Sequence, residues 1–205
     1  MINLTQQLVA EGYIKMPEII QAFYKIKRGD FLPSELADQE EVDAPLPIGH
    51  GVTNSQPLTV AFMLELLEPK PGQNILDIGS GSGWTTALLA EIVGSKGKIS
   101  GVERISEIKE FGDRNIKKYN FSNVKIICGD GSKGLPNEAP FDRILVSAAA
   151  FEIPPELKNQ LKIGGRLVIP TKAGDIRLIV RKKKNEFSEK IFSGFDFVPL
   201  IEQGE

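Results

Sequence analysis

The sequence predicts an α/β fold: a mostly parallel, Rossmann-like sheet with a helical cap before it and an antiparallel hairpin at its C-terminal end. Three observations predict it. Residues 74–77 read as a short buried strand, Gly79, Gly81 and Gly83 follow at alternate positions, and residues 84–93 then read as a helix. Beyond this unit, strand-like and helix-like segments alternate, which implies parallel strands joined by right-handed crossovers. After Pro170 the alternation stops, and residues 176–181 and 186–192 flank Lys182-Lys183-Lys184-Asn185 as two arms of a hairpin around a solvated basic turn.

The elements follow in order. Residues 3–12 predict a short helix capped by Asn3, with Leu4, Leu8 and Val9 on one side. Pro17 opens a second helix carrying Ile19, Ile20, Phe23 and Ile26. Both helices precede the glycine unit and are expected to cap it. Residues 34–43 are acidic and polar and read as an exposed loop. Residues 44–57 combine prolines, glycines and hydroxyl or amide side chains, which argues against a regular element. Pro57 starts an amphipathic helix, with Thr53 or Ser55 placed to cap it. Further on, strands are expected over 98–103, 124–128, 141–147 and 166–170. Helices are expected over 106–119, capped by Ser106, and over 154–161.

Composition bounds the function. The chain has 205 residues, 41% hydrophobic and 25% charged, which suits one domain spanning residues 1–205. Within it, residues 1–56 read as helical cap and acceptor loop, and residues 57–205 as the cofactor-binding sheet and hairpin. A net charge of −2 gives no electrostatic case for nucleic acid or an anionic membrane. No signal peptide is expected over residues 1–12, and no apolar run nears the ~20 residues of a membrane span. The single cysteine, Cys128, excludes an internal disulfide and fits a reducing cytoplasm. One Cys and one His make a zinc site unexpected.

The glycine spacing narrows the ligand. A dinucleotide loop, Gly-x-Gly-x-x-Gly, would need glycine at position 84, which is Trp84. The pattern is Asp-x-Gly-x-Gly-x-Gly, with Asp77 just before the turn. That carboxylate would repel a pyrophosphate but could accept a hydrogen bond from an ammonium group. S-adenosylmethionine has an α-amino group and no phosphate. Glu103 closes the next strand 20 residues after Gly83, where such folds place the acid that holds ribose hydroxyls. Asp77, Glu103, Asp130 and Ser147-Ala148-Ala149 all fall at strand C-termini, so they converge on one crevice. Asp130 either accepts from an exocyclic amine such as that of adenine or serves a Gly-Asp-Gly turn.

The chain then resembles the protein-L-isoaspartate (D-aspartate) O-methyltransferases. The matching residues are Arg28 with Phe31-Leu32-Pro33, Asp43-Ala44-Pro45-Leu46-Pro47-Ile48-Gly49 and Thr53-Asn54-Ser55-Gln56-Pro57. Asp77-Ile78-Gly79-Ser80-Gly81-Ser82-Gly83, Gly129-Asp130-Gly131, Ala148-Ala149-Ala150 and Phe197-Val198-Pro199-Leu200 continue the match. The Pro-Leu-Pro-Ile-Gly segment with its downstream Thr-x-Ser-x-Pro is the most family-specific part. The resemblance implies a class I S-adenosylmethionine-dependent methyltransferase that methylates carboxylates of L-isoaspartyl and D-aspartyl residues in damaged proteins. It implies a cofactor site of Thr53, Asp77, Gly79, Ser80, Gly81, Gly83, Glu103, Asp130 and Gly131. Asp77, Gly79 and Gly81 would shape its methionine end, Glu103 would hold the ribose, and Asp130 with Gly131 would meet the adenine. Ser55 falls on the active-site serine, and Ala148 and Ala149 on the wall that meets the substrate backbone.

Three positions depart from the family pattern: Val52, Asn54 and Glu41 stand where Gln, an aliphatic residue and Tyr are usual. All three lie toward the acceptor side. The competing readings are a class I methyltransferase on another acceptor, such as tRNA or a small metabolite, and an inactive cofactor-binding homologue. The expected enzyme is a cytoplasmic monomer acting on proteins and peptides, without nucleic acid, membrane or metal.

Overall fold

The computed structural model describes residues 3–201; Met1, Ile2 and residues 202–205 of the expected 1–205 domain lie outside the described residues. A seven-stranded sheet forms the centre. Its strands are β3 (Asn74–Ile78), β4 (Lys98–Glu103), β5 (Val124–Cys128), β6 (Phe141–Val146), β7 (Leu161–Thr171), β8 (Asp175–Lys183) and β9 (Glu186–Ser193), in the order β5-β4-β3-β6-β7-β8-β9. The first five run parallel, and β8 and β9 run antiparallel as the expected hairpin. From β3 the chain winds through β4 to β5 at one edge, then returns to β6 on the other side of β3. That reversal opens the crevice at the carboxyl ends of β3, β4 and β6.

The buried strands alternate between faces. Ile75, Leu145 and Val168 belong to one core, whereas Leu76, Ile144, Leu167 and Ile169 belong to the other. The first core takes the helices α1 (Leu4–Ala10), α2 (Pro17–Lys25), α3 (Pro57–Leu67) and α4 (Trp84–Val93). The N-terminal helices therefore cap the α3–α4 layer, with Leu8, Ile19 and Phe23 packed against it, and contribute nothing to the cavity described below. α1 carries a capping box, Asn3 accepting from Gln6 N–H while Gln6 accepts from Asn3 N–H. The helix α6 (Pro155–Asn159) buries Leu157 in the second core.

Several local expectations change. Residues 34–43 are not a plain loop, because Ser34–Gln39 winds into 3-10 turns. Within residues 44–57, Leu46–Gly49 (β1) and Val52–Asn54 (β2) pair as an antiparallel hairpin. His50 and Gly51 make its turn with φ of 52° and 73°, a conformation open to glycine and unusual for histidine. Ser106 does not cap its helix: α5 (Ser106–Ile116) has Ile105 at the cap, whose N–H donates to Glu103 Oε1 at 3.0 Å. The strand expected from Arg166 begins at Leu161, since Leu161 already pairs with Phe141 and Gly164, at φ 80°, carries the irregularity.

Candidate active site

A cavity of about 520 Å³ occupies the crevice, within the range that takes a nucleoside-sized ligand. Its floor is the end of β3 and the glycine turn, represented by Ile78 and Gly79. One wall is the end of β4, with Val102, Glu103, Arg104 and Ile105, continued by Gly129 and Gly131 after β5. The opposite wall is the β1–β2 hairpin with Thr53, Ser55 and Gln56, together with Ser147, Ala148 and residues 196–201. A chamber of about 20 Å³ adjoins it and shares Thr53, Ser55, Gly79 and Ser147. Ser80 and Gly81 line that chamber only.

Glycine is required where the backbone must turn or where space is closed. Gly79 and Gly81 sit at φ 73° and 53°. A Cβ on Gly131 would lie 2.3 Å from Ile78 Cγ2, so any side chain there would push the cavity wall. Gly83 stands behind the wall, at φ 87° before α4, where a Cβ would press on Ile116 at 3.1 Å.

The acids divide into three situations. Glu103 lines the cavity at 5% exposure, and its oxygens accept from Gly81 N–H at 3.1 Å and Ile105 N–H at 3.0 Å. It therefore ties the glycine turn to the β4 wall while facing the ligand space. Asp130 is not among the residues that line the cavity: Oδ1 accepts from Ser132 N–H at 2.9 Å and Ser132 Oγ at 2.7 Å, and Oδ2 lies 3.6 Å from Lys133 Nζ, so its side chain is engaged with the turn that follows it. Asp77 also lies outside the lining, at 0% exposure. Its Oδ2 accepts from Thr85 Oγ1 at 3.0 Å and Thr86 Oγ1 at 2.6 Å, which clamps the start of α4 to the end of β3. Oδ1 is buried without a partner among the described residues.

Burial pushes the Asp77 carboxyl up to about 6, the hydrogen bonds from Thr86 and Thr85 pull it down, and Glu103 adds a smaller upward push. Between about pH 4 and pH 6 the folded protein thus keeps a proton that the unfolded chain has released, and stability falls as pH rises through that window. Asp77→Asn carries no such proton. Its stability relative to the parent should climb by about 1–3 kcal/mol from pH 4 to pH 7. Urea unfolding of both proteins across that range measures the difference; parallel pH curves would show that Asp77 ionises normally.

The acceptor-side loop hangs on Arg28, which the family resemblance includes without a role. Arg28 is 4% exposed. Its Nε donates to Asn54 Oδ1 at 2.8 Å, one terminal nitrogen to Val42 O at 2.7 Å, and the other to Ala44 O at 2.7 Å, Asn54 O at 3.3 Å and Ser55 O at 3.1 Å. The guanidinium also lies 5.4 Å from the centre of the Trp84 ring. Burial lowers its pKa to about 10, opposed by the charge of Asp43. Asp43 in turn caps α3, its Oδ1 accepting from Leu58 N–H at 2.9 Å and its Oδ2 from Gln56 Nε2 at 3.0 Å. Neither Thr53 nor Ser55 is the cap; the Ser55 hydroxyl, half-buried at the cavity, has no hydrogen-bond partner among the described residues.

Comparison with known proteins fits this geometry. Residues 2–205 match the family profile described as protein-L-isoaspartate(D-aspartate) O-methyltransferase. The chain belongs to that family. A protein-L-isoaspartate O-methyltransferase of Methanopyrus kandleri is 43% identical over 97% of this chain and 90% of its own. One of Pyrococcus horikoshii is 44% identical over 96% and 90%. A crystal structure from Plasmodium falciparum, assigned to the same enzyme and holding S-adenosyl-L-homocysteine, superposes with a TM-score of 0.86 at 27% identity, over 97% of this chain and 96% of that one.

Within the family frame, two of the three departures are structural links. Glu41 accepts from Leu4 N–H and fastens α1 to the segment before the hairpin. Asn54 is 3% exposed; besides accepting from Arg28, it donates through Nδ2 to Ser82 Oγ at 3.0 Å. Its amide thus bridges the acceptor loop to the glycine turn and does not reach into the larger cavity. Val52 lines the cavity and packs on Leu32, Leu46, Ile48 and Ile108. Ala149 does not line it either; its N–H and C=O pair with Val198 O and Leu200 N–H, which fastens residues 198–200 beside Ala148.

Proposed function

We propose that this protein transfers the methyl group of S-adenosylmethionine to the free carboxylate of L-isoaspartyl and D-aspartyl residues in proteins and peptides. The observation that carries this reading is one cavity with a glycine turn and Glu103 on one side and the Ser55 hydroxyl on the other. The cofactor supplies an electrophilic methyl group. In this reading Glu103 holds the ribose hydroxyls, Gly131 leaves room for the adenine, and Gly79, Ser80, Gly81 and Thr53 line the methionine end. Asp77, Gly83 and Asp130 act one layer back, by fixing the helix start and the turns. The β1–β2 hairpin shapes the acceptor side together with Ala148 and residues 196–201, and the ends of β3 and β4 with the glycine turn shape the cofactor side.

The chemistry asks little of the side chains. A carboxylate with an ordinary pKa of about 4 is an anion at neutral pH, so no general base is needed. The chain must align oxygen, methyl and sulfur and keep water out. Ser55 donates a hydrogen bond to one acceptor oxygen and positions the other for attack. Ala148, backed by Ala149 and residues 198–200, offers the wall against which the acceptor backbone lies. His50, exposed in the hairpin turn, is not assigned a catalytic role. The reading places the enzyme in the cytoplasm as a monomer.

Transfer of tritium from labelled cofactor to an isoaspartyl peptide and to its aspartyl twin tests this. The isoaspartyl peptide should be labelled and the twin left blank. Equal labelling of both, or labelling of tRNA in their place, would overturn the acceptor assignment.

A further inference from the structure

Among the described residues, four border both the cavity and the small chamber: Thr53, Ser55, Gly79 and Ser147. They mark the junction where the methionine end of the cofactor and the acceptor meet in the reading above. Thr53 and Gly79 serve the cofactor there and Ser55 the acceptor. Ser147 is without an assignment.

Ser147 directly follows β6 and precedes Ala148, the wall against which the acceptor backbone lies. Its N–H donates to Ile78 O at 2.8 Å, which extends the β3–β6 ladder by one residue. A Cβ on Gly79 would lie 3.8 Å from Ser147 Cβ and 3.9 Å from Ala148 Cβ, so the bare glycine turn rests against this corner. The backbone under Ser147 is thus held by the sheet. A serine has one side-chain torsion with three staggered positions, so a fixed backbone keeps its hydroxyl at the junction. Ser147 is half-buried, and its hydroxyl has no hydrogen-bond partner among the described residues. In both respects it matches Ser55.

We infer that Ser147 is a second ligand of the acceptor carboxylate, its hydroxyl donating a hydrogen bond from the sheet while Ser55 donates from the hairpin. The inference rests on the acceptor assignment above. A carboxylate offers two oxygens and about four lone-pair directions. One donor leaves it free to turn about that hydrogen bond. Two donors on separate elements fix its plane and so aim the reacting lone pair. That electron pair forms the new O–C bond as the C–S bond breaks, and the electrons of the broken bond pass to sulfur. No proton moves, so both hydroxyls orient the group and keep their protons.

Ser147→Ala, Ser147→Thr and a double variant, Ser55→Ala with Ser147→Ala, test it. Three quantities are read: turnover of an isoaspartyl peptide, affinity of that peptide for protein saturated with S-adenosylhomocysteine, and affinity of S-adenosylhomocysteine alone. Ser147→Ala should lower kcat/KM about 10–50-fold and peptide affinity about three- to tenfold, with S-adenosylhomocysteine affinity within about twofold of the parent. Ser147→Thr keeps the hydroxyl and should recover most of the loss. Because two donors act as one clamp, the double variant should be at most about threefold slower than the slower single variant. Parental peptide affinity in Ser147→Ala, an equal loss in Ser147→Thr, or single losses that multiply in the double variant overturns the inference. A loss confined to S-adenosylhomocysteine affinity would make Ser147 a cofactor ligand and overturns it as well. Should the alanine variant fail to fold, Ser147→Cys, with similar shape and a weaker donor, gives the same comparison. If the parent binds S-adenosylhomocysteine but leaves the peptide unmethylated, the acceptor assignment fails and this inference falls with it; equal methylation by the parent and Ser147→Ala sinks the inference alone.

Discussion

Replacing Arg28 by methionine should lower stability by about 3–5 kcal/mol and abolish most turnover, although Arg28 touches neither substrate nor cofactor. Methionine fills similar volume and removes a charge that burial already disfavours, so the packing loss is small. The cost comes from what is left behind. Val42 O, Ala44 O, Ser55 O and both oxygens of Asn54 lose their donors in a region where the side chain they served was 4% exposed. Each buried acceptor left unmet costs roughly 1–3 kcal/mol before the loop relaxes. Relaxation would recover part of that by letting residues 42–55 move, and that movement displaces Ser55. Arg28→Lys should fall between the two, because a point ammonium reaches one or two of these oxygens and cannot span a fork. Urea denaturation and isoaspartyl turnover on the same preparations check this. A methionine variant of parental stability would mean the network is dispensable.

Ser55→Ala should behave oppositely. Turnover should fall about 10–100-fold, the equivalent of one positioning hydrogen bond of ~1–3 kcal/mol, with stability within about 0.5 kcal/mol of the parent. The sequence left two roles open for Ser55, helix cap and acceptor ligand. Asp43 donates nothing and accepts from Leu58 N–H, so α3 has its cap already, and removal of the Ser55 hydroxyl leaves no protein group unpaired among the described residues. S-adenosylhomocysteine affinity, read by calorimetry, should stay close to the parent's, because Glu103 and the glycine turn remain. Parental turnover in the alanine variant would remove Ser55 from the mechanism, and a loss of stability near 1 kcal/mol would restore the cap.

The local signals that the sequence carries strongly are those with a short-range cause. The strand–glycine–helix unit was legible because positive φ and strand alternation leave marks in consecutive residues. The helix α4 and the strands β4 and β5 take the spans that periodicity predicted, Trp84–Val93, Lys98–Glu103 and Val124–Cys128. The family was legible too, from Pro-Leu-Pro-Ile-Gly and Thr-x-Ser-x-Pro, and with it the class of chemistry. Even the hairpin turn at Lys184-Asn185 followed from polarity.

Only the tertiary structure decided what each polar side chain faces. Asp77, Glu103 and Asp130 all lie at or near the carboxyl ends of their strands, and the sequence gathers all three into one crevice. Of the three, Glu103 alone lines the cavity, whereas Thr85 and Thr86 hold Asp77 and Ser132 holds Asp130. Asn54 looked like an altered acceptor contact and is a bridge between Arg28 and Ser82, 26 and 28 residues away. Asp196 carries no signature at all; it reaches the cavity because Ala149 pairs with Val198 and Leu200, across some fifty residues of chain. Such contacts are set by sheet order and by which buried donor must find an acceptor, and both are properties of the assembled fold.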